Sequence, residues 1–424
     1  MTISEYIALG NLLLYVSVLI YWHRQHGITV GWILWLYFTL SSVATFFFIR
    51  HPFYVHSLHN GGEFKIIPFI YLFVILYLCI SPFNKLKKIE VYIYNLKQEK
   101  LLRYFMFLSI VVNTIAMTVD SSQIVDVLSI NEDFVTDYKD YSYEEVTYIP
   151  SLAVPVLSQL KGWLLLGFKI FELAIAFFAV CYYRNIFSYI FMTIAILADI
   201  SEGIIVANRS TFLYTTLFSV VYVYAFWNQF VGSFKNYLRI GGGVLALIII
   251  PFVLTITIGR FGNENDVLTF FFFKYMGEPM NNFNTLLFDH VRGYTLGDAY
   301  FLSFFNNLFG IAEWNTTLEK WSFIEARTGV SGQFFYTFVG GLILEFGKIA
   351  TLCIAIILNI LLNHILHKKH FSIADYILLS YSIYYLIRGV FFLPTQGKPF
   401  FTQAIALVII WHLFGKSKDS VTTY

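Results

Sequence analysis

Long apolar stretches alternate with short polar turns along almost the whole chain. A helix rises about 1.5 Å per residue, so roughly 20 apolar residues cross the hydrocarbon core of a bilayer. Eleven runs approach that length: 4–22, 28–49, 66–82, 102–119, 162–182, 186–206, 210–231, 238–258, 346–366, 371–391 and 399–415. A further apolar piece, 333–345, reads as a short re-entrant or interfacial segment. The pattern predicts an all-α, polytopic helical membrane protein with about 11 transmembrane helices. It forms a single integral membrane domain over residues 1–424.

Composition agrees. The 424 residues are 58% hydrophobic, 20% aromatic and 13% charged, with mean hydropathy +0.67, whereas soluble domains carry about 25% charged residues. Barrel strands alternate and lack long apolar runs, so a barrel is excluded. Cys79, Cys181 and Cys353 all lie inside apolar runs and read as small core residues. The start, MTISEYIALG, has no basic stretch ahead of its apolar run, so a cleaved signal peptide is not expected. The net charge of +2 says nothing about nucleic acid, and no nucleic-acid partner is expected.

Lysine and arginine in short loops set orientation. The 83–103 loop carries Lys85, Lys87, Lys88, Lys97, Lys100 and Arg103 and is expected in the cytoplasm. Alternation then places the N-terminus outside and the C-terminus inside. It also puts two loops outside: an acidic periplasmic loop, 120–160, with eight acids against one lysine, and a large periplasmic loop, 259–332.

That orientation makes some charges conspicuous. Arg209, Arg260, Arg292, Arg327 and Arg388 fall at or near the outer face, where the charge rule disfavours them. Guanidinium binds phosphate through two parallel hydrogen bonds, so such a cluster suits an anionic ligand. Asp199 and Glu202 share one helix face, and Arg209 follows on roughly the same stripe. Together they could line a cavity opening outward. Lys169 with Glu172, and Glu345 with Lys348, are spaced i, i+3 and read as self-neutralising pairs. The 259–332 loop holds seventeen Phe, Tyr or Trp residues, too many for a solvated loop. Interfacial helices are expected there, carrying Glu278, His290, Arg292 and Arg327 among rings that can stack on sugars. The ordinary alternatives are snorkelling arginines, interface-anchoring aromatics and a surface histidine.

No HExxH, Walker-A glycine loop, GxSxG, Cys/His metal spacing or outer-face DxD pair is present. A reaction without metal or cofactor, or no reaction, is implied.

The stretches ANRSTFLY (207–214), GRFG (259–262) and TGVSGQFFYTFVGGLILEFGKIA (328–350), with the late outer loop and the span count, give a resemblance over most of the length. The chain resembles bacterial O-antigen and capsule repeat-unit polymerases of the Wzy type. The resemblance implies a metal-independent glycosyltransferase of the bacterial inner membrane, acting at the periplasmic face in lipopolysaccharide or capsule biosynthesis. Its substrates would be oligosaccharides on undecaprenyl diphosphate within membrane lipid, and a chain-length regulator protein would be a candidate partner. On that reading Arg209, Arg260 and Arg292 clamp the diphosphate, with Arg327 and Arg388 as second choices. His290 serves as base or hydroxyl positioner, and Asp199, Glu202 and Glu278 line the cavity. The rival readings are an O-antigen ligase, a lipid-linked oligosaccharide flippase and an outer-face acyltransferase.

Overall fold

The computed structural model describes residues 2–51, 63–93, 96–129, 150–161, 166–205, 209–243, 267–303, 316–368, 370–394 and 397–415, with Leu247, Pro251 and Phe309. The helices are α1 (Ile3–His26), α2 (Val30–Phe48), α3 (Ile66–Ile80), α4 (Leu96–Val119), α5 (Ser121–Ser129), α6 (Pro150–Ala153), α7 (Pro155–Leu160), α8 (Leu166–Tyr183), α9 (Ile186–Ile205), α10 (Arg209–Phe226), α11 (Val267–Asn282), α12 (Thr317–Thr328), α13 (Thr337–Leu366), α14 (Ile373–Arg388) and α15 (Gly397–Phe414).

Among the described residues, six helical stretches are long and apolar enough to cross a membrane: Ile3–His26, Val30–Phe48, Ile66–Lys85, Leu96–Val119, Ile186–Ile205 and Thr337–Leu366. Three shorter apolar helices, Phe171–Tyr183, Ser210–Phe226 and Pro399–Phe414, fall within further expected runs. Most of the expected run 238–258 lies outside the described residues.

The chain divides into two compact units. Unit 1 comprises Met1–Lys87, Glu264–Lys368 and Tyr385–Phe400; unit 2 comprises Lys88–Asn263, Lys369–Tyr384 and Phe401–Tyr424.

In unit 1 the helix ends follow from local chemistry. Thr2 and Glu5 form a reciprocal capping box that starts α1, and Gly27 (φ 70) ends it by donating to the His23 carbonyl at 2.9 Å. Thr29 caps α2 by accepting from the Trp32 amide at 3.0 Å. Its hydroxyl also bonds Asn84 Oδ1 at 3.0 Å, tying the α1–α2 turn to the end of α3. Tyr15 of α1 stacks on Trp35 of α2, centroids 5.1 Å apart.

Helix α11, from the aromatic-rich 259–332 stretch, packs along the second half of α2. Ser41 Oγ donates to the Met276 carbonyl at 2.5 Å, and Thr45 Oγ1 to the Gly277 carbonyl at 3.0 Å. A Cβ on Gly277 would lie 2.6 Å from the Thr45 amide nitrogen, so glycine sets how closely the two backbones approach. The first part of α3, α11 and a π-helical turn (Phe283–Leu287) share one end of unit 1 with the start of α1. We call it the head end. Helix α13 runs beside α3, Tyr71 donating to the Lys348 carbonyl at 2.6 Å and Asn359 to the Leu78 carbonyl at 2.6 Å.

Helix α13 is broken at Gly347 (φ 82, ψ 171). The apolar piece 333–345 therefore supplies the short first half of α13, while 348–366 continues past the break. The break also separates Glu345 from Lys348, so the expected i, i+3 pair does not form. Glu345 instead accepts from Thr295, Gly297 and Tyr300, and the Lys348 amine sits 3.8 Å from the Phe288 ring centroid.

In unit 2, Phe177, Tyr222 and Tyr376 pack together, and the Tyr376 hydroxyl bonds the Ala174 carbonyl at 2.6 Å. A two-residue parallel bridge pairs Val91–Tyr92 with Phe371–Ser372. Buried Glu172 of α8 accepts from Ser109 and from Asn113 Nδ2, both on α4. A buried carboxylate needs such donors. In the 120–160 stretch, the Asp120 carboxylate takes the Ser151 amide at 2.7 Å and the Lys161 amine at 3.3 Å.

Candidate functional site

The expected site residues fall into both units. In unit 2, Asp199 and Glu202 are half-buried on α9. Thr215 Oγ1 of α10 donates to Asp199 at 3.3 Å, across the α9–α10 hairpin. Arg209 is the first residue of α10, on a different helix from Asp199 and Glu202. Arg260 lies outside the described residues.

In unit 1, His290, Arg292 and Arg327 gather at the end of α12, whereas Glu278 and Arg388 sit on α11 and α14. Thr316 and Glu319 form a capping box that starts α12, and Gly329 in the left-handed region (φ 75) ends it. Its last turn lies beside the segment 290–293. The Arg292 amide donates to the Thr328 carbonyl at 2.9 Å, the Arg292 Cδ lies 3.5 Å from where a Gly329 Cβ would be, and a Cβ on Gly293 would meet the Arg327 carbonyl at 2.4 Å. His290, Arg292 and Arg327 thus share one corner, and all three are exposed. Arg327 lies over the Phe323 ring at 5.4 Å. Among the described residues, neither the His290 ring nor the Arg292 guanidinium has a hydrogen-bond or ion-pair partner. Next to them Asp289 is paired with Lys65 at 2.7 Å. Asn284 brackets the Lys65 backbone with bonds of 2.9 and 2.7 Å, which fixes the corner to the head end of α3.

The segment after 293 crosses towards the other end of α12. Leu296 (φ 55) and Gly297 (φ 101) are both left-handed, which turns backbone amides inward. Glu345, fully buried at 0% exposure, receives them. Its carboxylate accepts from Thr295 Oγ1 at 2.5 Å, from the Gly297 amide at 2.6 Å and from the Tyr300 amide. Three donors offset the cost of burying a charge. The Lys320 amine, on the second turn of α12, sits 4.3 Å from the Tyr300 ring centroid. Burial pushes the Lys320 ammonium down to about 8, against the pull of Glu345, which raises it. Burial and Glu345 push the Tyr300 hydroxyl up, so it stays protonated.

Glu278 is half-buried on α11. Burial pushes its carboxyl up, opposed by Lys274 and by an Asn282 hydrogen bond at 3.4 Å. It acts electrostatically on buried Tyr336, as do Tyr300 and Glu325. Arg388, half-buried in the last turn of α14, lies 5.7 Å over the Phe392 ring, and the next residue, Gly389, accepts from the Phe338 amide at 2.7 Å.

Lys320, Tyr300, Glu345 and Lys65 are absent from the sequence-derived site. Lys320 sits in TLEKWSFIEART, an amphipathic helix whose charges read as solvated, and only the fold brings Tyr300 over it. In comparisons with known proteins, no family model, no curated protein and no solved structure matches the chain.

Proposed function

We propose that the protein polymerises lipid-linked oligosaccharide repeat units at the outer face of a bacterial inner membrane. The donor is a glycan on undecaprenyl diphosphate, and the acceptor is a sugar hydroxyl of a second lipid-linked unit. The observation that carries the reading is the exposed corner of His290, Arg292 and Arg327 at the head end of an apolar helical unit. The basic residues Lys85 and Lys87 lie at the opposite end of that unit, which favours the head end as the outer one.

The chemistry suits these side chains. The bond between an anomeric carbon and diphosphate is already activated. What a protein must add is positioning and stabilisation of the anionic leaving group, and fixed guanidinium groups do both. Arg292 and Arg327 hold the diphosphate, and His290 meets the acceptor hydroxyl. Glu278 and the surrounding aromatic rings face the sugars. The apolar helix surfaces accommodate the polyprenyl chain.

Surface-glycan ladders from cells lacking the gene, with extraction of carrier-linked glycans, test the reading. Core plus a single repeat unit is expected. Long polymer retained on the carrier would mean a ligase, and single units trapped in the cytoplasmic leaflet would mean a flippase. Arg292→Ala or Arg327→Ala is expected to cost roughly 100- to 1,000-fold in polymerisation rate, the usual loss for one transition-state donor. Unchanged polymer length and yield at equal protein level would refute the clamp.

A further inference from the structure

The break at Gly347 leaves Lys348 without the acid that its spacing assigns to it. Glu345 is buried and turned to Thr295, Gly297 and Tyr300. Among the described residues, the Lys348 amine has no hydrogen-bond or ion-pair partner, and it lies over the Phe288 ring. Segment 288–295 arches across the break. One foot is Phe288 on Lys348. The other is Tyr294, whose ring would lie 2.7 Å from a Gly347 Cβ, followed by Thr295, whose amide donates to the Leu344 carbonyl at 3.0 Å. The apex carries His290 and Arg292, held against the end of α12 by the bond from the Arg292 amide to Thr328. Phe288 is two residues from His290, so their Cα atoms are at most about 7 Å apart. The Lys348 amine therefore sits at the foot of the arch whose apex is the guanidinium corner.

Below the arch the surface is apolar. From Lys348 to Leu366, α13 runs away from the head end for about 28 Å, close to the thickness of a hydrocarbon core. Ile349 is 82% exposed there, and Ile356, Ile357 and Ile360 are exposed after it. Helix α3, joined to α13 by the bond from Tyr71 to the Lys348 carbonyl, exposes Ile67, Ile70 and Val74. From the corner downward the order is guanidinium, ammonium, apolar face. The one acid in 288–295 is Asp289, and Lys65 already balances it at 2.7 Å. Arg292 and Lys348 thus have no counter-ion among the described residues, and Lys348 stands at the edge of a surface where charge is costly.

We propose that Lys348 binds the lipid-side phosphate of the carrier diphosphate, while Arg292 and Arg327 hold the sugar-side phosphate; the assignment rests on the polymerase reading. The ligand carries its groups in the same order as the protein: sugar, two phosphates, then a long apolar chain. That chain lies on the exposed face of α3 and α13. An ammonium is a compact charge with three donors, suited to a phosphate that meets it from one side. The Phe288 ring, itself packed on Tyr71 at 5.1 Å, fixes where the amine stands. Lys348 is a binding residue and takes no part in making or breaking bonds. It makes the protein a reader of diphosphate. A carrier with one phosphate can meet the guanidinium corner or the lysine, but not both.

The test measures binding of undecaprenyl diphosphate, undecaprenyl monophosphate and phosphatidylglycerol, none carrying sugar, to the full-length protein in detergent by native mass spectrometry. The wild type should prefer the diphosphate to the monophosphate. Lys348→Met should weaken diphosphate binding roughly 10- to 100-fold, the range for one charge-assisted hydrogen bond, and Lys348→Arg should keep most of it. Diphosphate binding to Lys348→Met within threefold of the wild type would overturn the proposal. So would phosphatidylglycerol competing as well as the diphosphate, which would make the face a general lipid site. A photoreactive undecaprenyl diphosphate needs no substitution, so a poorly folding variant does not blunt the test. Its label is expected on residues 349–361 of α13 and 66–78 of α3, and label confined to other helices would overturn the assignment. A wild type that binds no undecaprenyl diphosphate would remove the polymerase reading together with this role. Tight binding that ignores Lys348 would remove this role alone.

Discussion

Replacing Glu345 by glutamine tests how the candidate site is held together. The carboxylate is fully buried and serves three donors: the Thr295 hydroxyl, the Gly297 amide and the Tyr300 amide. Glutamine keeps the shape but turns one oxygen into an NH2 group. Whichever way the amide is turned, that group faces at least one N–H donor and cannot accept from it. A buried donor left without an acceptor costs about 1–3 kcal/mol. Taking about 2 kcal/mol gives a roughly 30-fold rise in the opening of segment 295–300. Hydrogen exchange of the detergent-solubilised protein, read on peptides covering 295–302, measures this directly. Exchange there should quicken about 30-fold while peptides of α1 and α2 keep their protection. Exchange within threefold of the wild type would show that the carboxylate does not hold the segment. A uniform loss of protection over unit 1 would show that it supports the whole unit, and the local reasoning would fail.

Two further outcomes follow from the same geometry. Lys320→Met should raise stability near neutral pH. The gap between about 8 and the ordinary 10.5 corresponds to about 3 kcal/mol carried against the folded state while the lysine is charged. The unfolded chain binds more protons between those values, so wild-type stability should rise from pH 8 to pH 10.5, and the rise should be absent in the variant. Thermal unfolding in detergent across that range checks both; a variant less stable than the wild type at pH 7 would contradict them. Gly277→Ala should destabilise unit 1 by about 1–3 kcal/mol, because its Cβ would meet backbone atoms of Ala44 and Thr45 at 2.6 to 2.8 Å, and backbone cannot rotate away. An unchanged melting temperature would mean that α2 and α11 shift apart at little cost.

The helices could be read from the sequence because lipid and core make the same demand of them. Runs 4–22 and 28–49 match α1 and α2 within a few residues, where threonine caps and Gly27 mark ends, and run 66–82 matches α3. Helix α4 begins at Leu96 rather than 102, because its first turns, LKQEK, are helical and charged, and hydropathy does not register them. The split between 333–345 and 346–366 is close to the break at Gly347. The i, i+3 spacing of Glu345 and Lys348 does not make a pair, because that spacing assumes an unbroken helix. Arginine position brought out the corner at His290, Arg292 and Arg327, but their proximity comes from one backbone bond between Arg292 and Thr328 that no local pattern encodes. Lys320 was hidden for a similar reason: its burial depends on Tyr300, twenty residues away, and on Glu345, twenty-five residues away.

The break at Gly347 has a consequence for anyone who would rebuild this protein. It frees main-chain acceptors near the end of the first half of α13, and the Thr295 and Leu296 amides occupy the carbonyls of Leu344 and Glu345 at 3.0 and 2.9 Å. Buried carbonyls without a donor cost stability. Residues 295–300 and 337–347 are therefore one exchangeable module. A chimera that transplants either piece alone would leave open acceptors on one side or a loop without an anchor on the other. A graft of this region has to carry both.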